Sequence, residues 1–283
     1  MEHEPHDEVD TPRTFVERVE WTGAACVSQQ DVLAREEPLA IQIAGVPIAV
    51  VMRTPGHDLD LVRGFLVTER IVEHAHHIVS LRHCDRVDED LAENSVVQVI
   101  LSSDAPFDPE RLRRNLFVAS SCGICGKASL SAALQAAPPL ATTDAPRWPA
   151  DRFYALPRVL QHGQPVFADT GGLHGAALFD DTGRCLGIRE DVGRHNAVDK
   201  VLGHAFARPP EVHAEVLLVS GRISFEIVQK ALAARIPIVA AISAPTSLAV
   251  ELATAAGITL VGFLRDTRMC VYSHPQRVVA PQN

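Results

Sequence analysis

Beyond an acidic start, apolar and polar positions alternate with the period of a strand. Segments 13–20 and 32–37 read as short strands, and 39–44 with 47–53 read as a hairpin turning at Gly45. The period then lengthens: Leu61, Val62, Phe65, Leu66 and Val72 recur at helical spacing, behind Asp58 or Asp60 as the expected cap. Strands over 78–87 and 95–101 would complete a small α+β unit ending near 104–109. Asp108-Pro109-Glu110 then opens a helix, because the side-chain cap precedes a proline whose missing N–H costs nothing at the first helical position. A further helix over 127–137, rich in Ala and Leu, stops at Pro138-Pro139.

From residue 151 the pattern changes to strands separated by helices. Helices are expected over 152–161, 194–207, 224–235 and 246–256, and strands over 176–180, 185–189, 215–220, 238–243, 258–264 and 269–273. Apolar strands separated by single helices imply a largely parallel sheet with right-handed crossovers. The expected fold class is therefore α/β, in three parts: a disordered acidic tail over 1–12, a small N-terminal α+β domain over 13–107, and a C-terminal domain over 108–283 with a mostly parallel central sheet.

Composition narrows the function. A chain of 283 residues that is 47% hydrophobic can bury a large core, yet it carries no uncharged apolar run of the roughly 18 residues that a membrane span needs. The start MEHEPHDEVD is acidic, unlike a targeting segment, so the expected location is cytosolic, with no membrane partner. A net charge of −9 argues against nucleic acid, whose phosphates require a basic stripe. Only Cys122 and Cys125 of the six cysteines lie close together, which is no secreted disulfide framework.

That pair is the sharpest chemical feature. Gly123 and Gly126 let two thiols approach one another, while Lys127 and the following helix N-terminus favour thiolate, the form that attacks a persulfide. The spacing alone leaves several readings open: sulfur or redox chemistry, half of a structural zinc site, or two buried cysteines without chemistry. No second CxxC pair supplies the other two zinc ligands; His174, His195 or Cys185 would have to converge from afar, and no structural metal is expected.

A second signal lies where strands end. Ser220-Gly221-Arg222-Ile223-Ser224, Ser243-Ala244-Pro245-Thr246 and Phe263-Leu264-Arg265-Asp266-Thr267-Arg268 fall at three junctions that share one edge if their strands are parallel. Ligands of open α/β sheets bind there, where helix N-termini hold phosphate oxygens, and Arg222, Arg265 and Arg268 would add charged forks. This points to an anionic, nucleotide-like ligand. Two further polar clusters, Thr170-Gly171-Gly172-Leu173-His174 and Asp191-Val192-Gly193-Arg194-His195-Asn196, stand in an apolar half. Asp191, read as a cap for the helix at Arg194, and Asn196 are taken as structural; His174 and His195 stay undecided.

Read together, SSCGICGK (120–127), TGGLHGAAL (170–178), EDVGRHNAVDKVLG (190–203), SGRISFEIVQKA (220–231), SAPTSLAVELA (243–253) and ITLVGFLR (258–265) resemble the formate dehydrogenase accessory sulfurtransferase family, FdhD. The stretch 36–72 resembles it too. The resemblance implies a small N-terminal unit, a three-layer cytidine-deaminase-like C-terminal domain and a homodimer. It also implies an activity: sulfur passes from a cysteine desulfurase onto Cys122 as a persulfide, with Cys125 as its partner. It then goes to the molybdenum of Mo-bis(molybdopterin guanine dinucleotide), bound as substrate, for delivery to apo formate dehydrogenase. By position, Phe263, Leu264, Arg265, Asp266, Thr267 and Arg268 match the cofactor-binding strand end, with Ser220, Gly221, Arg222, Ser243 and Thr246 as further candidates.

Two rival functions make different demands. A zinc deaminase needs HxE before PCxxC, whereas here the CxxC precedes His174 and Ala176 stands two residues after it. A chaperone that only carries the molybdenum cofactor needs the pocket but no reactive thiol.

Overall fold

The computed structural model describes residues 11–84, 95–107, 130–142, 146–208 and 213–281. Cys122, Cys125, the helix expected to open at Asp108 and nearly all of the acidic tail lie outside these residues.

The chain begins with a two-stranded ribbon, β1 (Arg13–Thr22) and β2 (Ala25–Ala34), paired antiparallel from Arg13↔Ala34 to Thr22↔Ala25. The second strand thus starts well before its expected position, because 25–30 pairs with β1 without showing an alternating pattern of its own. β3 (Glu37–Ile43) and β4 (Val46–Arg53) form the expected hairpin. Its turn residues Ala44 and Gly45 both have positive φ, the backbone twist that suits a two-residue hairpin. With β5 (Ile78–His83) and β6 (Val96–Leu101) they make a sheet in the order β4-β3-β6-β5. Helix α1 (Asp58–Thr68) lays Leu61, Val62, Phe65 and Leu66 on Leu39, Ile41, Val97 and Val99. Neither Asp58 nor Asp60 caps it: the N-cap is His57, and Asp58 instead makes a buried two-pronged contact with Arg53 (2.8 and 3.0 Å).

The second half holds α2 (Leu130–Ala136), the short β7 (Trp148–Pro149), α3 (Ala150–His162), α4 (Pro165–Thr170), β8 (His174–Phe179), β9 (Cys185–Asp191) and α5 (Arg194–Phe206). It continues through β10 (Val216–Val219), α6 (Phe225–Ala233), β11 (Ile238–Ala241), α7 (Ser247–Ala256), β12 (Thr259–Arg265), β13 (Arg268–Ser273) and the short β14 (Val278–Val279), which pairs with β7. Six strands form one sheet in the order β13-β12-β11-β10-β8-β9.

This sheet is mixed, which corrects the expectation of a mostly parallel one. β10-β11 and β11-β12 are parallel, but β8-β9, β8-β10 and β12-β13 are antiparallel. The reason is loop length. A parallel return needs a crossover of about a dozen residues, and the links from β8 to β9 and from β12 to β13 are tight turns. Only the three strands separated by α6 and α7 are forced parallel. The sheet is nevertheless the middle of three layers. Leu178, Leu217, Val219, Val239 and Leu260 pack with α2, α5, α6 and α7, whereas Phe179, Leu218, Ile238 and Val261 pack with Trp148 and α3.

The two halves meet where α1 crosses α5, and glycine sets the distance. A Cβ on Gly64 would lie 1.8 Å from the Asp199 carbonyl oxygen, and one on Gly203 would lie 1.9 Å from that of Asp60. Backbones this close exclude any side chain at either position. Beside the crossing, Asp199 accepts from Thr68 Oγ1 (2.8 Å) and pairs with Lys230 (2.7 Å), so its buried carboxylate has partners from both halves. No helix among the described residues is long and apolar enough to cross a membrane.

Candidate functional site

Because β10, β11 and β12 run parallel and β9 runs with them, one edge of the sheet collects all their carboxyl ends. The helices that follow, α5, α6 and α7, all begin at this edge, with Gly193, Ser224 and Thr246 as N-caps. Helix N-termini carry unpaired N–H groups and partial positive charge, so three of them together make a surface suited to anions.

The three junctions singled out in the sequence are stitched to one another by backbone. Ile223 N donates to Ala244 O (3.1 Å), Thr246 N to Ile223 O (2.9 Å), and Phe263 N to Ser243 O (3.0 Å). Ser220 exchanges bonds with Gly175 on β8, giving its N–H to Gly175 O (2.9 Å) and accepting Gly175 N–H at Oγ (3.0 Å). The Thr246 hydroxyl accepts from Ala249 N (3.4 Å), an ordinary side-chain cap.

Side chains along the third junction divide sharply. Phe263 sits on a bulge in β12 with φ of 53° and is 39% exposed. A left-handed backbone at a bulky residue is strained, and such strain survives only where its surroundings hold it. Leu264, by contrast, is fully buried among the core residues under α3, so it shapes the strand end from beneath and does not face a ligand. Arg265 turns one guanidinium nitrogen onto Ile242 O and Leu264 O, which makes it a brace between strand ends more than a free fork. Asp266 pairs with Arg158 of α3 (3.2 Å). Arg222, Thr267 and Arg268 are exposed.

Arg194 and the two undecided histidines stand at the same edge. A Cβ on Gly221 would meet His174 Nδ1 at 3.4 Å and Arg194 Cβ at 4.0 Å. His195 Nε2 lies 3.5 Å from Ser224 Oγ and 4.0 Å from Glu226 Oε2. Burial, helped by Arg194, lowers the pKa of both rings, and that of His195 falls to about 4. At neutral pH both are uncharged, able to donate at one nitrogen and accept at the other. The folded chain should therefore resist protonation at His195 while the unfolded chain takes a proton near pH 6.5. It follows that the folded state loses stability as pH falls from about 6.5 to about 4. A proton NMR titration of the His195 ring should find it neutral at pH 5.5; a midpoint above 6 would refute this.

Residues 190–203 also contain a deeply buried fastening that is not part of the edge. Asp191, wholly buried, accepts from Gly193 N (2.8 Å), Asn196 Nδ2 (3.0 Å) and Thr54 N (3.2 Å), and pairs with Lys200 (2.7 Å). Lys200 also donates to Thr54 O (2.8 Å), Asn196 to Met52 O (2.7 Å), and Val192 N to Thr54 Oγ1 (3.2 Å). Asp191 and Asn196 are thus structural, as expected, but Asp191 is no helix cap: it binds the end of β4 to the start of α5. Glu190 does a related task, accepting Val166 N (3.1 Å) and Phe167 N (2.8 Å) at the start of α4, a helix the periodicity did not reveal.

The catalytic candidates Cys122 and Cys125 lie outside the described residues. Among the described residues, Cys26, Cys185 and Cys270 form no disulfide with one another.

Comparison with known proteins adds to this geometry. The chain is 48% identical over 257 residues to the sulfur carrier protein FdhD of Mycobacterium tuberculosis, covering 89% of this chain and 93% of that one. It is 46% identical over 257 residues to the sulfur carrier protein FdhD of Streptomyces coelicolor, covering 90% and 91%. A crystal structure from Desulfotalea psychrophila, described as a formate dehydrogenase accessory protein, superposes with a TM-score of 0.75 at 25% identity, over 95% of this chain and all of that one. The model of the FdhD/NarQ family matches residues 34–279. With so much of its length matched, the chain belongs to the FdhD/NarQ family.

Proposed function

We propose that this protein is a sulfurtransferase serving formate dehydrogenase, and that the sheet edge holds its acceptor. The thiolate of Cys122 attacks the sulfane sulfur of a cysteine desulfurase persulfide; a new S–S bond forms at Cys122 and the desulfurase cysteine leaves as thiolate. The terminal sulfur then goes to the molybdenum of Mo-bis(molybdopterin guanine dinucleotide), a substrate of the protein: the S–S bond breaks, the reduced metal supplies the two electrons that take sulfane sulfur to sulfide, Cys122 leaves as thiolate, and the product is delivered to apo formate dehydrogenase. Cys125 is the second thiol of the loop. In this reading the protein works in the cytoplasm as a homodimer, and its three-layer half is arranged like a cytidine deaminase.

The observation that carries the proposal is the edge itself. Three helix N-termini, the exposed Arg194, Arg222 and Arg268, and the strained Phe263 gather on one line. The guanine dinucleotide arms are polyanionic, and oriented amides with guanidinium forks are the groups that hold pyrophosphate. Ser220, Gly221, Ser243 and Thr246 shape the floor, and 263–268 forms one wall. The sulfur-carrier names of the relatives support the other half of the reading.

Mass spectrometry tests it directly. After incubation with a cysteine desulfurase and cysteine, the peptide containing Cys122 should gain the mass of one sulfur atom, and a thiol reductant should remove it. If the Cys122 peptide stays unmodified while the desulfurase turns over, sulfur transfer through this residue is wrong.

A further inference from the structure

Outside the sheet edge, one cluster has no part in the proposed function. The segment His74-Ala75-His76-His77 forms a short 3-10 turn before β5, and its three imidazoles crowd together. Ring centroids lie 4.5 Å apart for His76 and His77, 5.2 Å for His74 and His77, and 5.4 Å for His74 and His76. Asp104, from the turn after β6, joins them with its Oδ2 3.3 Å from His76 Nε2. One ligating atom each from His76, His77 and Asp104 fits within 4.8 Å, and this is the single such group of three among the described residues.

The two turns are held in place by backbone. Ser102 N donates to His77 O (2.9 Å), His77 N to His74 O (3.1 Å), and Ala105 N to Ser102 O (3.2 Å). β5 and β6 pair immediately behind them, Ile78 opposite Leu101. His77 is buried and so fixes one side, while His76 and Asp104 are open to solvent with side chains 62% and 63% exposed. The site is thus half built into the sheet and half accessible to an arriving ion.

We propose that His76, His77 and Asp104 bind one divalent transition ion of the Zn²⁺ or Ni²⁺ kind, with solvent completing its coordination. Two imidazoles and one carboxylate suit borderline ions. Ca²⁺ and Mg²⁺, which take oxygen ligands, are excluded by the same donor set. Binding has a cost that can be observed. His77 Nδ1 now accepts the Glu73 N–H (3.2 Å), which leaves the neutral ring with its proton on Nε2. To ligate, this imidazole must present an unprotonated nitrogen to the ion, so the Glu73 hydrogen bond is given up. The bound ion would tie the turn at 74–77 to the turn at 102–105 and stiffen the end of the N-terminal sheet.

The test uses the full chain carrying Cys122→Ser and Cys125→Ser, so that the loop thiols do not compete for metal. Calorimetric titration with Zn²⁺ should give one ion per chain, and Co²⁺ should give a visible spectrum without a thiolate charge-transfer band. His76→Ala with Asp104→Ala, both at exposed positions, should weaken Zn²⁺ binding about tenfold or more. Zinc should shift the Glu73 amide resonance in the parent chain and leave it in place in the double variant. Absence of stoichiometric binding, or equal affinity in parent and double variant, would overturn the proposal.

Discussion

A Cys122→Ala chain is expected to leave formate dehydrogenase inactive while still binding the molybdenum cofactor. The two tasks fall to segments far apart in the sequence. Under the proposed function, cofactor retention rests on the edge formed by β9 to β13, none of whose residues is changed by this substitution. Sulfur transfer rests on a nucleophile, and alanine supplies none. Loss of a covalent nucleophile removes about a thousandfold or more of the rate, with no compensation from the binding groups that remain. Formate dehydrogenase activity in cells complemented with the variant should fall to the level of cells lacking the protein. In parallel, guanine dinucleotide cofactor retained on the purified variant should match the parent. Full activity with Cys122→Ala would point instead to a protein that only carries the cofactor, a reading that needs the edge and not the thiol.

Lys200→Met should strongly destabilise the fold. Lys200 is 1% exposed and its ammonium lies 2.7 Å from the wholly buried Asp191 carboxylate. Methionine fills much of the same space but leaves that carboxylate without a cation. Thr54 O also loses its donor at 2.8 Å. Removing one member of a buried ion pair costs about 3–5 kcal/mol, because the other charge stays desolvated. Against a total stability of about 5–15 kcal/mol this is a large share. Asp191 still accepts from Gly193, Asn196 and Thr54, so the lower part of the range is expected. Urea denaturation should show the midpoint moving with little change of slope. A double variant, Asp191→Asn with Lys200→Met, should be less destabilised than the sum of the two single changes, since no charge is then stranded. A loss below about 1 kcal/mol for Lys200→Met would mean that the pair is solvated and does not fasten the halves.

The same contacts explain why residues 190–203 are dense in polar groups yet so little of that stretch faces the edge. Arg194 and His195 lie at the sheet edge, beside Gly221 and Ser224, whereas Asp191, Asn196, Asp199 and Lys200 turn toward Met52, Thr54, Thr68 and Lys230. One helix therefore belongs to both the edge and the interface: its N-terminus lies at the sheet edge, and its buried face docks the small sheet. A substitution in this helix can lower activity without touching any ligand, by loosening the fastening.

Much of this was legible in the residue pattern. The hairpin at Gly45, the helix at 58–68 and the alternation of strands and helices from 215 onward follow from local periodicity and turn chemistry, which depend on near neighbours. That the junctions after β10, β11 and β12 share one edge followed too, since a strand, a helix and another strand close right-handed and parallel. α4 was also within reach: Pro165 opens it and Gly171, with φ of 66°, ends it.

Only the tertiary structure decided the rest. The antiparallel pairing of β8 with β10 and the burial of Leu264 beside the exposed Phe263 depend on partners remote in sequence. So do the pairing of Asp191 with Lys200 against Thr54, and the meeting of His76 with Asp104. Period and composition record which face of a segment is apolar; they do not record what that face will meet. Which charged groups become neighbours is set by the geometry of closure, where Gly64 and Gly203 let two helices touch and bring the small sheet onto the large one.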